Sequence, residues 1–290
     1  MEATMKAGQA LRTFLDMIKF EHTIFALPFA YLGMVLAVGG WPGIWPFVWI
    51  TVAMVSARTV AMAANRAIDR HLDARNPRTA NRALPQGRLS VGFVWAVVVI
   101  ATAIFFESAW LLNSFVFRLA PLALLFLVGY SYTKRFTWLC HWVLGITDGA
   151  AAAGAWAAIT GSLDLPAYLL WAAVAAWIGG FDLIYACQDV DVDRAEGLQS
   201  VPARFGIAAA LTLAKINHAV TVALLAWVGA LLGLGWPFWV ALAVAAALLV
   251  YENVIVKPHD LSRLDVAFFN INGYISVIVF VGAWLGIVVK

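Results

Sequence analysis

The chain has 290 residues, of which 63% are hydrophobic and only 12% are charged, with a formal net charge of +3. The charged share is about half that of an ordinary soluble domain, so a soluble globular fold is excluded and lipid is the expected solvent. Two cysteines, Cys140 and Cys187, are too few for a disulfide framework or a cysteine-rich zinc site.

Residues 1–19 contain several charges and no long apolar run. Leu11, Phe14, Leu15 and Ile18 recur at helical spacing, which is typical of an amphipathic helix. The segment is therefore predicted to lie on the membrane surface ahead of the first span.

Nine apolar segments follow that are long enough to cross the hydrocarbon core of a bilayer, which takes about 20 residues of helix. The sequence predicts an all-α fold: a polytopic membrane protein whose single domain, residues 1–290, is a bundle of nine transmembrane helices. The predicted spans, in chain order, are residues 20–40, 45–67, 89–106, 114–132, 138–160, 166–187, 207–232, 236–255 and 265–289.

Lysine and arginine concentrate in alternate connections, before the first span and after the second, fourth, sixth and eighth. The connections between these hold almost none. Because basic residues favour the cytoplasmic side of a membrane, the alternation predicts a cytoplasmic N-terminus and an odd number of spans.

An acidic motif closes the second predicted span. Asn65, Asp69 and Asp73 follow one another at intervals of four residues, which places them on one face if the helix continues. The neighbouring arginines could bind an anion, since a guanidinium offers a bidentate fork to phosphate.

A second motif, Tyr185, Asp189 and Asp193, closes the sixth predicted span with the same spacing. The same number of residues separates Asp69 from Asp189 and Asp73 from Asp193, which is the pattern of a four-span internal repeat. Both motifs end even-numbered spans and therefore open toward the same compartment.

Carboxylates at this spacing suit Mg²⁺, which takes oxygen ligands and retains several waters. Two facing half-sites could hold Mg²⁺ ions around a diphosphate, whose oxygens would complete the coordination. The alternative is a pair of solvated helix ends with incidental charges. The repetition, and the mutual repulsion among Asp189, Asp191 and Asp193, favour a bound cation.

These residues resemble the motifs of the UbiA family of intramembrane aromatic prenyltransferases, and the resemblance covers nearly the whole chain. The first motif is similar to the family's Asn-x-x-x-Asp-x-x-x-Asp element and the second to its Tyr-Ala-x-x-Asp-x-x-x-Asp element. Arg66 departs from the pattern, since many members carry Asp directly after the Asn. Further similar elements are Arg78-Thr79, Arg82-Ala83-Leu84-Pro85, Tyr130 with Lys134-Arg135, and Gly197-Leu198-Gln199-Ser200.

The resemblance implies an Mg²⁺-dependent enzyme that transfers a polyprenyl group from polyprenyl diphosphate to a small aromatic acid in respiratory quinone biosynthesis. It implies 4-hydroxybenzoate as the first acceptor, with 1,4-dihydroxy-6-naphthoate, for menaquinone, as the alternative. It also implies a bacterial-type inner membrane, an active site facing the cytoplasm, and an apolar interior, open to membrane lipid, that accepts the isoprenoid tail.

The resemblance also implies roles for individual side chains. The Mg²⁺ ligands would be Asn65, Asp69, Asp73, Asp189 and Asp193. The catalytic set would be Asp69, Asp73, Asp189, Asp193 and Lys134, with Lys134 and Arg135 the first choice for stabilising the leaving diphosphate. The substrate-binding set would be Asn65, Arg66, Arg70, Arg78, Arg82, Tyr130, Arg135, Asp182 and Tyr185.

Other polar residues lie within the predicted spans. Asp148 and Asp182 are intramembrane acids, which usually face the interior of a bundle, so both are candidates for the site or for a helix–helix hydrogen bond. A substrate role competes with helix packing for a further set: His22, Asn217, His218, Asn270, Asn272 and Tyr274.

The competing function is a cation or small-molecule transporter. Transport sites lie near the bilayer midplane on broken helices, whereas these acids cluster at one side. The sequence contains no Walker A loop, His-Glu-x-x-His or Gly-x-Ser-x-Gly motif of another chemistry. The arginine-rich segment 66–88 lies beside the membrane among aspartates, which favours phosphate or lipid contact and predicts no nucleic-acid partner.

Overall fold

A computed structural model of the chain describes residues 7–19, 23–264 and 266–289, and the regular elements in these residues are helices. The α-helices are α1 (Ala7–Met17), α2 (Thr23–Val38), α3 (Ile44–Ile68), α4 (Arg70–Arg75), α5 (Val91–Leu112), α6 (Ser114–Thr133), α7 (Cys140–Thr160), α8 (Leu165–Tyr185), α9 (Val190–Ala195), α10 (Val201–Phe205), α11 (Ile207–Leu231), α12 (Trp236–Ile255) and α13 (Asn272–Val288). A 3₁₀ segment, Ala186–Asp189, joins α8 to α9, and a π-helical segment, Val266–Ile271, precedes α13. The all-α prediction is confirmed.

Seven helices in the described ranges are long and apolar enough to cross a membrane: α3, α5, α6, α7, α8 with its continuation to Ala195, α11 and α12. They coincide with the second to eighth predicted spans. The first and ninth predicted spans correspond to shorter apolar helices, Leu27–Val38 and Asn272–Val288. The chain is therefore an integral membrane protein, and the count of nine spans remains a prediction.

Several helices begin at residues whose side chains satisfy free backbone N–H groups. Ser90 accepts a hydrogen bond from the Phe93 amide at the start of α5, and Asp164 accepts one from Ala167 at the start of α8. Asn113 starts α6, and its amide nitrogen also donates to the Ala157 carbonyl near the end of α7 at 2.9 Å. These caps fix the turns at which the chain re-enters the bundle.

The two largest hydrophobic cores lie in two groups of helices, and a smaller core joins α3 of the first group to α2 and α7 of the second. One of the two largest cores joins α1, α3, α5 and α6, and the other joins α2, α7, α8, α11, α12 and α13. Glycines bring backbones close in the second group: a Cβ at Gly33 would overlap the Ala152 carbonyl, and one at Gly145 would overlap the Ala175 carbonyl. The second group is thus held together by close contact between small residues.

Helix α1 turns its apolar face toward the bundle. Phe14, Met17 and Ile18 are buried in the first core, and the Phe14 ring meets the edge of Phe93 with centroids 5.9 Å apart. Within residues 7–19 the segment contains an α-helix with one apolar face, and its location on the membrane surface remains a prediction.

Both acidic motifs lie where a helix is interrupted. Helix α3 ends at Ile68, Asp69 has φ −88° and ψ 4°, and α4 begins at the next residue. The second motif runs through the 3₁₀ segment between α8 and α9. The helix does not continue through either motif, so the motif residues do not share one regular helical face. Three of the motif carboxylates meet basic partners, Asp69, Asp73 and Asp189, and Asp193 meets Ser200. Short 3₁₀ stretches within helices often mark functional positions.

Candidate active site

A large cavity of about 1210 Å³ opens between the two groups of helices. It exceeds the range of about 300–1,000 Å³ that is common for small-molecule pockets. Near the ends of α3 and α8 its wall is charged, and toward the start of α3 it is apolar, with Ile50, Met54, Phe105, Leu119 and Phe126 among the lining residues. All six residues of the two motifs line this cavity: Asn65, Asp69, Asp73, Tyr185, Asp189 and Asp193.

Asp69 lies at the centre of the first motif and is 3% exposed. Its Oδ1 accepts from Arg135 Nη2 at 2.6 Å, and Lys134 Nζ lies 3.2 Å from Oδ2. Asn65 Nδ2 donates to the same carboxylate at 3.1 Å. A buried carboxylate needs such partners, because an uncompensated buried charge costs about 3–5 kcal/mol. The end of α6 thus brings the two predicted diphosphate-binding bases onto the first motif.

Asp73 is also buried and is held on one side only. Arg82 Nη1 donates to its Oδ1 at 2.7 Å. Its Oδ2 is buried and makes no hydrogen bond with any residue in the described ranges. A buried carboxylate oxygen without a hydrogen bond lowers the stability of the folded protein, and it is available to bind a metal ion or a hydrogen-bond donor.

Arg78, from the segment that follows α4, clamps the second motif. Its Nη2 and Nε donate to the two carboxylate oxygens of Asp189 at 2.6 and 3.0 Å, and its Nη1 donates to the Tyr185 hydroxyl at 3.0 Å. Asn76 Nδ2 adds a bond to Asp189 at 2.9 Å. Burial is the largest single influence and lowers the pKa of Arg78, but the hydrogen bond to Asp189 and the charges of Tyr185, Asp189 and Asp73 together outweigh burial and raise this pKa above its ordinary value. The guanidinium therefore stays charged.

Asp193 is positioned by the turn that follows α9. Ser200 Oγ donates to Asp193 Oδ2 at 2.6 Å. The turn depends on Gly197, whose φ of 67° lies in the left-handed region, and the Gln199 amide donates to the Lys134 carbonyl at 2.7 Å. Lys134 is thus linked through its backbone to the segment that orders Asp193.

The remaining predicted residues divide into two sets. Arg66 and Tyr130 line the cavity, and Arg66 Nη1 donates to Asn65 Oδ1 at 2.9 Å. Arg70 is not among the described residues that line the cavity, and its guanidinium donates to the Ala67 carbonyl at 3.0 Å at the end of α3. Arg135 is also not among the lining residues, but it reaches the site through its bond to Asp69. The substrate-binding role of Arg70 stays a prediction.

The donor set fits Mg²⁺ bound together with a phosphate group. Carboxylate and amide oxygens are the ligands that Mg²⁺ prefers, and Asp73 Oδ2 is a buried oxygen awaiting a partner. In the ranges that the structure describes, no group of three or more His, Cys, Asp or Glu side chains converges on one point. An all-protein metal cage is therefore not formed, whereas one or two carboxylates per ion with phosphate and water would suffice.

Two residues that the sequence analysis passed over also belong to the cavity wall. Arg58 lines it about two helical turns before Asn65 on α3. His141 lines it at the start of α7, and its Nδ1 lies 2.7 Å from Asp182 Oδ2. A charge in the middle of a predicted span is a signal that could have singled out Arg58. The pairing of His141 with Asp182 joins different helices and has no sequence pattern.

The other polar residues named from the sequence divide between helix packing, the surface and the cavity wall. His218 packs against Gly180 and lies 2.7 Å from Asn253, and Asn217 accepts from the Trp142 indole at 3.0 Å. Asn270 and Tyr274 are exposed. Three candidates line the cavity: Asp148, Asp182 and Asn272. His22 lies outside the described residues.

The fold and the cavity define a helical membrane protein with a charged, phosphate-type site at one end of an apolar chamber. The sequence matches the UbiA prenyltransferase family over residues 26–274, and the chain belongs to that family. The predicted resemblance is confirmed. The chain is accordingly an enzyme of the prenyltransferase class, which decides against the transporter alternative.

Individual relatives agree with this assignment. A 4-hydroxybenzoate octaprenyltransferase of Cupriavidus necator is 33% identical over 252 residues, which cover 86% of this chain and 87% of that protein. The apo structure of a UbiA homologue from Aeropyrum pernix K1 is 36% identical with a TM-score of 0.83, covering 90% of this chain and 96% of that one. A UbiA homologue from Archaeoglobus fulgidus bound to GPP and Mg²⁺ has the same fold at 21% identity, with a TM-score of 0.66 and coverage of 96% and 100%.

Proposed function

We propose that this enzyme transfers a polyprenyl group from polyprenyl diphosphate to the ring of a small aromatic acid in respiratory quinone biosynthesis, with 4-hydroxybenzoate as the first acceptor. The observation that carries the proposal is the shape of the cavity, which places both acidic motifs and their bases at one end of an apolar chamber. The similarity to the 4-hydroxybenzoate octaprenyltransferase of Cupriavidus necator supports this acceptor. The alternative acceptor is 1,4-dihydroxy-6-naphthoate.

The charged end of the cavity would bind the diphosphate. Four basic residues already donate to the motif carboxylates: Lys134, Arg135, Arg78 and Arg82. We expect them to share their N–H groups with phosphate oxygens when the polyprenyl diphosphate binds. Their positive charge would stabilise the negative charge that grows on the diphosphate as the bond to the prenyl group breaks.

Mg²⁺ would be held by Asn65, Asp69, Asp73, Asp189 and Asp193 together with the diphosphate. When bound, Mg²⁺ would neutralise the diphosphate and make it a better leaving group. The orphaned Asp73 Oδ2 supports this role, and the Archaeoglobus homologue bound to GPP and Mg²⁺ is consistent with it.

The apolar wall would receive the isoprenoid tail and keep water away from the allylic cation. Arg58 would bind the carboxylate of the acceptor, because it is a cation that lines the cavity at mid-span, deeper than the acidic motifs. The acceptor ring would then lie between Arg58 and the diphosphate, within reach of the cationic carbon.

We also propose that the chain spans a bacterial-type inner membrane nine times, with the N-terminus and both acidic motifs on the cytoplasmic side. The alternation of basic connections supports this orientation. Ser162, between α7 and α8, and Ser262, between α12 and α13, are exposed and suit single-cysteine labelling. In spheroplasts an impermeant maleimide should label a cysteine at position 162 and not one at 262; the reverse pattern would reject the orientation.

The activity is tested with purified protein, a polyprenyl diphosphate, Mg²⁺ and each acceptor in turn, with products identified by mass spectrometry. We expect prenylated 4-hydroxybenzoate, and we expect its formation to stop with EDTA or with Asp69→Ala. If only 1,4-dihydroxy-6-naphthoate is prenylated, the naphthoate is the acceptor and the proposed type of reaction stands. Turnover that survives Asp69→Ala would reject the metal assignment, and no product with either acceptor would reject the function.

A further inference from the structure

His141 fixes an acidic side chain in the wall of the cavity. His141 is 2% exposed, and its Nδ1 lies 2.7 Å from Oδ2 of Asp182, whose side chain is 22% exposed. On the other side of the ring, the Val201 amide lies 3.2 Å from Nε2. One buried imidazole therefore connects α7, α8 and the start of α10, and it does so beside the cavity that both His141 and Asp182 line.

The Val201 contact determines the tautomer of the imidazole. A backbone N–H can only donate, so Nε2 of His141 is an unprotonated acceptor. The ring hydrogen must then be on Nδ1, which donates it to Asp182 Oδ2. Asp182 is held as a carboxylate acceptor with one oxygen occupied by His141, and the exposed part of its side chain faces the cavity.

Asp182 lies at the depth where the acceptor ring would react. It precedes Asp189 by about two helical turns, or roughly 10 Å along the helix. Arg58 stands about as far before Asn65 on α3. In the proposed function the diphosphate would bind at the motifs with the reacting carbon attached to it, so the acceptor ring would lie between that carbon and Asp182.

We propose that Asp182 is the base that removes the ring proton, and that His141 is the residue that positions it; the inference rests on the proposed function. The donor C–O bond breaks, the diphosphate leaves with the electron pair, and the aromatic ring forms a C–C bond to the allylic cation. The substituted ring carbon then loses its proton to the Asp182 carboxylate, and the C–H electron pair restores the aromatic ring.

Asp148 is the competing acid, because it lines the cavity from within a membrane-spanning helix. Two further lining acids lie elsewhere: Asp16 on α1, and Glu196, which pairs with Arg75. Asp148 follows His141 by about two helical turns on α7, and His141 is level with Asp182. Asp148 therefore lies deeper and farther from the diphosphate. Glu252 and His218 are buried among helices and are not among the described residues that line the cavity.

The test uses the full-length enzyme in detergent with Mg²⁺ and polyprenyl diphosphate. The acceptor is the one that the wild type prenylates, and it is supplied either unlabelled or with deuterium on the ring. Single-turnover rates give the kinetic isotope effect for loss of the ring proton. General-base catalysis is worth about 10²–10⁴-fold, so Asp182→Asn should slow product formation by about 10²-fold or more and raise the isotope effect above the wild-type value. Donor binding and its Mg²⁺ dependence should not change.

Asp164→Asn is the matched control, since it makes the same substitution at the other end of α8, where Asp164 caps the helix and is not among the described cavity-lining residues. It should leave the isotope effect at the wild-type value. His141→Leu should slow turnover less than Asp182→Asn and also raise the isotope effect, whereas His141→Gln, which can still donate to Asp182, should restore part of the rate.

An unchanged isotope effect in Asp182→Asn would overturn the inference while the proposed function stands. If Asp182→Asn does not fold, His141→Leu decides in the same way by its isotope effect. A raised isotope effect in Asp148→Asn alone would assign the base to Asp148 and overturn the inference. Absence of any product with the wild type would reject the proposed function, and this inference with it.

Discussion

Arg78 is the side chain that ties the two acidic motifs into one site. It follows the first motif in sequence and binds the carboxylate and the tyrosine of the second, at 2.6 Å to Asp189 and 3.0 Å to the Tyr185 hydroxyl. A guanidinium can make both contacts at once because its donors form a rigid fork, which lysine lacks. Arg78 therefore sets the distance between the motifs as well as their charge.

We expect Arg78→Ala to lower kcat/KM for the polyprenyl diphosphate by about 10- to 100-fold, because hydrogen bonds to charged groups contribute about 1.5–3 kcal/mol each. Arg78→Lys should recover only part of the loss. The measurement is initial rate against donor concentration at saturating Mg²⁺ and acceptor.

Arg75→Ala is the control for that comparison. Arg75 also joins the two motif segments, by an ion pair to Glu196, but its side chain is 57% exposed. Exposed pairs contribute about 0–1 kcal/mol, so this variant should keep most of its activity. Equal losses of kcat/KM in Arg75→Ala and Arg78→Ala would show that the loss follows from removing a positive charge near the motifs and not from removing the contact with Asp189.

At the level of single residues, the spacing of the aspartates predicts which carboxylates meet at the cavity, whereas the presence of arginines nearby in sequence does not predict where their side chains bind. The regular intervals of Asp69, Asp73, Asp189 and Asp193 place them at one cavity, as the sequence predicts. Arg70 lies between Asp69 and Asp73 in sequence, yet its guanidinium bonds to the Ala67 carbonyl at the end of α3 and is not among the described cavity-lining residues. Contacts between separate helices, such as His141 with Asp182, leave no local pattern to recognise.

Among the helices, α7 and α8 determine the geometry of the charged wall. They pack so closely at Gly145 that a Cβ there would overlap the Ala175 carbonyl. The same pair carries His141 and Asp182, so the distance between these side chains depends on that close approach.

Gly145→Ala should therefore destabilise the protein by about 1–3 kcal/mol, the usual cost of overpacking a well-packed interface. The measurement is the thermal midpoint of the purified protein in detergent. Gly154→Ala on the same helix is the control: a Cβ there meets no atom of the described residues within 4 Å. Alanine also favours helix, so Gly154→Ala should keep or raise the midpoint. A lower midpoint for Gly154→Ala than for Gly145→Ala would contradict this account of the packing.

Hydropathy was enough to predict the long helices, because lipid requires each crossing to be apolar and helical. It did not predict α4, α9 and α10, which are short and polar and are held by side chains from other segments, such as Ser200 on Asp193. The breaks within the motifs likewise have no hydropathy signal, because the segments involved are short and polar.

For the whole molecule, the cavity between the two helix groups is the feature that sequence could least predict. Its volume of about 1210 Å³ depends on how far the groups stand apart, and no local pattern encodes that distance. The cavity nevertheless explains why two motifs far apart in sequence act as one site. Each presents oxygens to the same space, and neither offers a complete metal shell alone.

The most direct test of this account is a double-mutant cycle on binding of a non-reactive polyprenyl diphosphate analogue, measured by calorimetry with Mg²⁺ and with EDTA. Asp69→Asn and Asp189→Asn should each weaken binding in Mg²⁺, and the double variant should bind only slightly less well than the weaker single variant. That corresponds to a coupling of about 1–3 kcal/mol between the motifs, and it should vanish in EDTA. Additive losses in Mg²⁺, or the same coupling without metal, would contradict a diphosphate held jointly by both motifs through Mg²⁺.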